Sequence, residues 1–230
     1  MLDQLVGAIA AHRLQWLEPI GLGFFDVDAS LEAEGLTTAD VYCDDYFAKY
    51  EAMADAPIGI ELNEFRKGLV ARHAPTSSDA GPPTLLDVGI GDGAFLRAVE
   101  TLSWLRSYGC DINPAGIAYL IERGQLANFD EPASFDVVTF WDSLEHIRDP
   151  RPALAAAAQV AIVSIPIFTD AADAVTSKHF RPDEHFWYFT RHAFSVFADQ
   201  EGFDVVDILA TETAIGREGI ETFVLKRRPA

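Results

Sequence analysis

At 230 residues and 49% hydrophobic content, the chain suits one domain with an appendage or enlarged lid and can bury a sizeable core. Its net charge of −19, with 17 Lys and Arg against 36 Asp and Glu, argues against a phosphate backbone or an anionic membrane as the main partner. The two cysteines, Cys43 and Cys110, form neither a zinc pattern nor a disulfide framework, and no signal peptide or membrane-length apolar run is seen, so a reducing cytoplasm is the simplest compartment.

Leu2, Leu5, Val6, Ile9, Arg13, Trp16, Leu17 and Ile20 trace one face of a helix that Pro19 and Gly21 would end. This stripe would pack on the core or on a second subunit, which leaves a homodimer open. Thr37 to Asp40 reads as a turn or a helix start. Tyr42, Tyr46 and Tyr50 are four apart and line one helical face, with three hydroxyls that want partners. A helix over 61–73 would turn Leu62, Phe65, Leu69 and Val70 inward and leave Arg66 and Arg72 on a solvated face, with Arg66 in reach of a ligand carboxylate. The loop from Pro75 to Pro83 divides an N-terminal helical extension (1–74) from an α/β core (75–230), within which 167–190 is a long insertion.

The core alternates. Strand 85–88 leads to helix 93–103, strand 106–110 and a helix over 114–123 that opens on Pro114 and closes at Gly124. Residues 125–135 leave room only for a stubby third strand. Strand 135–141, a helix over 152–158 and strand 160–166 follow. This alternation implies a parallel sheet, an α/β fold. Thr190 caps a helix carrying Phe194 and Phe197 that stops at Gly202. Residues 203–213 and 219–227 then read as an antiparallel hairpin.

The glycine turn after the first core strand carries the most information. Without a Cβ, Gly89 and Gly91 can take φ > 0 and let backbone lie against a ligand. Gly89-x-Gly91-x-x-Ala94, with Asp111 20 residues after Gly91, fits the dinucleotide fingerprint too. Either way Asp111 would accept from ribose hydroxyls.

Asp87-Val88-Gly89-Ile90-Gly91-Asp92-Gly93 resembles the cofactor loop of the class I S-adenosyl-methionine-dependent methyltransferases. Ser134 to Pro150, with Phe135-Asp136-Val137-Val138 and Leu144-Glu145-His146-Ile147, resembles a segment of the ubiquinone-type and related small-molecule enzymes of that family. His179 with Glu184-His185-Phe186-Trp187 resembles the family's segment over the substrate pocket. The resemblance covers about residues 42–227 and implies a Rossmann-like sheet with a C-terminal antiparallel hairpin. It implies S-adenosyl-methionine as cofactor, held by Asp87, Gly89, Gly91, Gly93, Asp111, Ile112, Trp141 and Asp142, with Tyr46 and Tyr50 closing over its methionine end. The segment 124–135 is shorter than is usual in the family, where Phe129 or Asp130 would sit by the adenine.

The implied reaction is in-line methyl transfer to a small-molecule acceptor at O, N or C. His185, His146 and Asp142 are candidates for removing a proton from it, and His179, Arg181 and Trp187 for binding it. No metal is expected, because His179, Asp183 and His185 do not form an established zinc spacing. Two other classes stay open: a methyltransferase acting on protein or nucleic acid, and a non-catalytic cofactor-binding or partner-binding module. The acidity and the lack of an N/D-P-P-Y/F motif argue against nucleic acid. The terminal hairpin argues against a nicotinamide enzyme.

Overall fold

A computed structural model describes residues 13–42, 56–76 and 81–229. The N-terminal part contains strands β1 (Gln15–Leu17) and β2 (Leu22–Phe24) and helices α1 (Val27–Glu34), α2 (Thr38–Val41) and α3 (Pro57–His73). The core follows as β3 (Thr84–Val88), α4 (Ala94–Val99), β4 (Arg106–Cys110), α5 (Pro114–Arg123), β5 (Phe135–Trp141), α6 (Arg151–Ala155) and β6 (Ala157–Pro166). The chain ends with α7 (Ala171–Thr176), β7 (Trp187–Phe189), α8 (Arg191–Gln200), β8 (Phe203–Leu209), α9 (Thr211–Ile215) and β9 (Ile220–Arg227).

The main sheet runs β4-β3-β5-β6-β9-β8. The first four strands are parallel, and β9 is antiparallel to both β6 and β8. Side-chain alternation along the strands builds two cores. Leu85, Val137, Ile162 and Val224 face one side, where α3 contributes Leu69 and Val70, α4 Phe95 and Leu96, and α5 Leu120. Their chain neighbours Leu86, Val138, Val163 and Phe223 face the other, against Leu154 of α6 and Phe194 of α8. Burial on both faces explains why these strands read as continuous apolar runs. The terminal antiparallel strands stand as expected. The stubby third strand is reduced to one parallel bridge, Gly109 to Leu126.

Four local expectations are corrected. Residues 15–17 are strand, not helix, while 1–12 lie outside the described residues. Gly23 permits this pairing, since a Cβ there would lie 2.8 Å from the Trp16 ring that crosses it. Gly21 (φ +75) turns the chain between the strands. The helix expected over 93–103 stops at Val99. Ala157 and Ala158 join β6, where Ala157 pairs with Phe135; sheet pairing overrides their helix propensity. The strand expected over 203–213 ends at Leu209, and α9 follows. Helix α1 was not anticipated, although Asp26 caps its start and Gly35 (φ +72) its end.

A second, small antiparallel sheet, β1-β2-β7, joins the N-terminal segment to the insertion, with Gly23 opposite the fully buried Tyr188. Among the described residues no helix is long and apolar enough to cross a membrane.

Thr190 serves both parts. Its hydroxyl caps α8 by accepting from Ala193 N at 3.0 Å and donates to the Ile20 carbonyl at 3.3 Å. Thr190→Ala is therefore expected to lose about 1–2 kcal/mol of unfolding free energy in a urea titration. An unchanged midpoint would show that neither bond matters to stability.

Candidate active site

The candidate site lies at the carboxyl ends of β3, β4 and β5. Gly89, Gly91 and Gly93 all take positive φ, at +78°, +56° and +75°. A Cβ on Gly89 would lie 2.7 Å from that of Ser143, and one on Gly93 2.7 Å from the Tyr119 ring. At Gly91 a Cβ would meet no atom within 4 Å, so the loop is open there. Asp111 follows β4. Its carboxylate accepts from Gly91 N at 3.2 Å and from Asn113 N at 2.8 Å, while burial pushes its pKa up. Ile112 beside it is 65% exposed. Asp87 lies beneath the loop, 1% exposed, and accepts from the Thr139 hydroxyl at 2.7 Å.

Trp141 ends β5 and is buried. Phe95 meets it edge-on at 5.0 Å, and the Arg66 guanidinium sits 4.8 Å over its ring. Asp142 takes φ +55°, uncommon for a residue with a side chain. Its carboxylate accepts from Arg217 at 2.6 Å and lies 3.6 Å from Arg66. Arg66 and Arg217 also grip Glu212, Arg66 through bonds of 2.9 and 3.1 Å. Ser164 donates to the same carboxylate at 3.0 Å. Burial pushes Glu212 up, but the two guanidinium groups hold it below the usual carboxylate range. Arg66 is thus committed to an ion-pair cluster and not spread on a solvated face. Asp142 is likewise engaged and is not a free base.

The third cluster joins the turn after β5 to the insertion. Glu145 is 1% exposed, and neither of its oxygens has a partner among the described residues. Burial, then the charge of Asp142, pushes its pKa well above normal, which favours the neutral acid. Burial lowers His146 to about 4 and His185 well below its usual value, so both rings are neutral at pH 7. The two rings stand 4.5 Å apart, edge to face. Nδ1 of His185 has no partner among the described residues, and Nδ1 of His146 lies in hydrogen-bond contact with the Tyr42 hydroxyl at 2.7 Å. One ligand atom from each of Glu145, His146 and His185 lies within 4.8 Å of the others, a grouping with the donor types for a divalent metal. The trio set aside on sequence grounds, His179 and Asp183 with His185, is a different one, since neither of the first two is in this group.

The three expected acceptor-binding residues scatter. His179 bonds the Glu218 carbonyl at 2.7 Å, and Arg181 pairs with Glu184 at 3.1 Å. Trp187 donates to the Ile147 carbonyl at 3.0 Å and packs on Phe24 in the small sheet. Tyr46 and Tyr50 lie outside the described residues. Sequence reasoning missed Glu145, Asn113, Glu212 and Arg217. Glu145 had a signal, as the acid of the motif that singled out His146. Glu212 and Arg217 had none, because their importance comes from Arg66, far off in sequence.

Asp87 makes a pH prediction. Burial, partly offset by the Thr139 bond, raises it from an ordinary 3.8 to about 7. Between those values the unfolded chain releases a proton that the folded chain retains, so this group lowers stability as pH rises through that window. Asp87→Asn is expected to remove this slope. Its stability relative to wild type should rise by a few kcal/mol between pH 4.5 and 7.5 in urea unfolding. A constant difference across that range would refute the shift.

The methyltransferase-domain family model matches residues 61–208, which hold the loop, Asp111, the turn after β5 and His185. A ubiquinone biosynthesis O-methyltransferase of Nitrosospira multiformis is 29% identical over 115 residues, 44% of this chain and 46% of that protein. Its namesake in Paraburkholderia phymatum is 33% identical over 104 residues, 39% of this chain and 43% of that protein. The chain thus spans about half the length of the curated relatives it matches. Among solved structures, the 1,6-didemethyltoxoflavin-N1-methyltransferase of Burkholderia thailandensis superposes with a TM-score of 0.54 at 15% identity. That match covers 94% of this chain and all of the other, whose crystal holds S-adenosylhomocysteine. The chain belongs to the methyltransferase domain family and has its Rossmann-like α/β fold.

Proposed function

We propose that the chain transfers a methyl group from S-adenosyl-methionine to a small-molecule acceptor. The observation that carries this reading is the glycine loop, open at Gly91, with the Asp111 carboxylate held at its edge by two backbone N–H groups. These residues fit the cofactor. Asp111 keeps lone pairs for ribose hydroxyls, Ile112 offers an exposed apolar surface for a flat base, and the bare backbone of Gly91 permits close approach. The cofactor would supply an electrophilic methyl carbon and a neutral thioether leaving group.

The chain's own part is to hold the acceptor in line and manage its proton. His146 and His185 are neutral near pH 7 and can accept a proton, although burial makes both weak bases. Asp142 is the poorer candidate, with its carboxylate bound by Arg217. Phe168, Phe180, Phe186 and Tyr188 pack about this side, which suits a partly apolar or aromatic acceptor. The names of the curated relatives favour oxygen as the methylated atom. A reducing, cytoplasmic setting agrees with a free Cys110.

Calorimetric titration with S-adenosyl-homocysteine tests the reading. Micromolar binding is expected for the wild type, with a loss of at least about tenfold in Asp111→Ala, a charged hydrogen-bond partner removed. Equal affinity in the variant, or binding of NAD in its place, would overturn the assignment.

A further inference from the structure

A line of hydrogen bonds crosses the site from the glycine loop to the histidine pair. Gly91 N donates to Asp111 Oδ2 at 3.2 Å, and Asn113 N donates to Asp111 Oδ1 at 2.8 Å. Asn113 is 4% exposed, and its side chain is used at both ends. Its Oδ1 accepts from Ala115 N at 2.8 Å as the cap of α5, so its Nδ2 must point away, and it donates to the Tyr42 carbonyl at 3.1 Å. The Tyr42 hydroxyl then meets His146 Nδ1 at 2.7 Å. His146 also bonds the Glu184 backbone, which acts to retain its proton. The other ring nitrogen would then carry the proton, with Nδ1 accepting and the Tyr42 hydroxyl donating.

We propose that Tyr42 is a positioning residue that ties Asp111, through Asn113, to the orientation and tautomer of His146. This rests on the reading that Asp111 takes the cofactor. A ligand that pulls on the Asp111 carboxylate loads the bond to Asn113 N, hence the cap of α5 and the grip on Tyr42. The last link of the line is His146 Nδ1, whose ring packs on His185. Tyr42 contributes through main chain at one end and hydroxyl at the other, which a tyrosine does here and a phenylalanine cannot.

The test follows the histidine rings of the full chain, labelled with ¹⁵N, by two-dimensional NMR with S-adenosyl-homocysteine as the probe. In the wild type His146 should show one tautomer, protonated at Nε2, and its Nδ1 signal should move when the ligand binds. Tyr42→Phe removes only the hydroxyl. It should still bind the ligand within about tenfold of wild type, but His146 should lose its single tautomer and its response. Asn113→Asp retains an α5 cap while placing an acceptor against the Tyr42 carbonyl. There the Tyr42–His146 bond should persist and the response to ligand should vanish. These variants report separately, so poor folding of one leaves the other decisive. A His146 response equal to wild type in either folded variant overturns the proposal, as does a wild-type His146 that ignores bound ligand. Failure of the wild type to bind S-adenosyl-homocysteine at all overturns the cofactor reading and the coupling with it.

Discussion

The site depends on the parallel pairing of β3 with a neighbour on each side. Leu85 to Val88 sit in register with Ser107 to Cys110 on one edge and with Val137 to Phe140 on the other. All three strands therefore deliver their chain ends to the same edge of the sheet. The segments leaving them have to part, and the crevice between is where an open α/β sheet receives a ligand. Ser143 reinforces this, since it packs where Gly89 has no Cβ and donates to the Val88 carbonyl. The loop and the turn after β5 thus form one unit, although Ser143 lies 55 positions beyond Val88.

Two polar clusters, each built around a buried carboxylate, flank that crevice and solve the same problem differently. Beside Trp141, Arg66 and Arg217 face Asp142 and Glu212. Two cations meet two anions, and the carboxylate of Glu212 is further satisfied by Ser164, so charge survives burial. In the other, Glu145, His146 and His185 form no ion pair among the described residues, and burial favours the uncharged form of each. The first cluster locks the end of β5 to α3 and α9. The second leaves unmatched polar atoms next to the aromatic side of the insertion, which is the more useful state for groups that must meet a ligand.

The small sheet has a part in this arrangement. Phe186 N donates to the Glu145 carbonyl, and β7 begins at the next residue. Pairing of β7 with β2 therefore fixes the height of His185 over His146. The segment 167–190 is held by a strand from the N-terminal part of the chain, a link that leaves little mark on local composition.

The α/β alternation, the glycine turn, Asp111 and the antiparallel end were legible in the sequence. Each is a short-range pattern: an apolar run of strand length, a residue type that permits positive φ, an acid at a strand end, a cap beside a helix. Where reading failed, the decision lay in partners distant along the chain. Trp16 and Leu17 fit a helical stripe but pair with β2, because Gly23 leaves room for the indole. Arg66 looks solvated until Glu212 and Arg217 come to it. Trp187 carries a roofing motif yet turns its indole to the Ile147 carbonyl. Backbone conformation at a turn is set by a few neighbouring atoms, and residue identities record it directly. The state of a buried charge or hydrogen-bonding group is set by what else is buried beside it, and that is known only once the chain has folded.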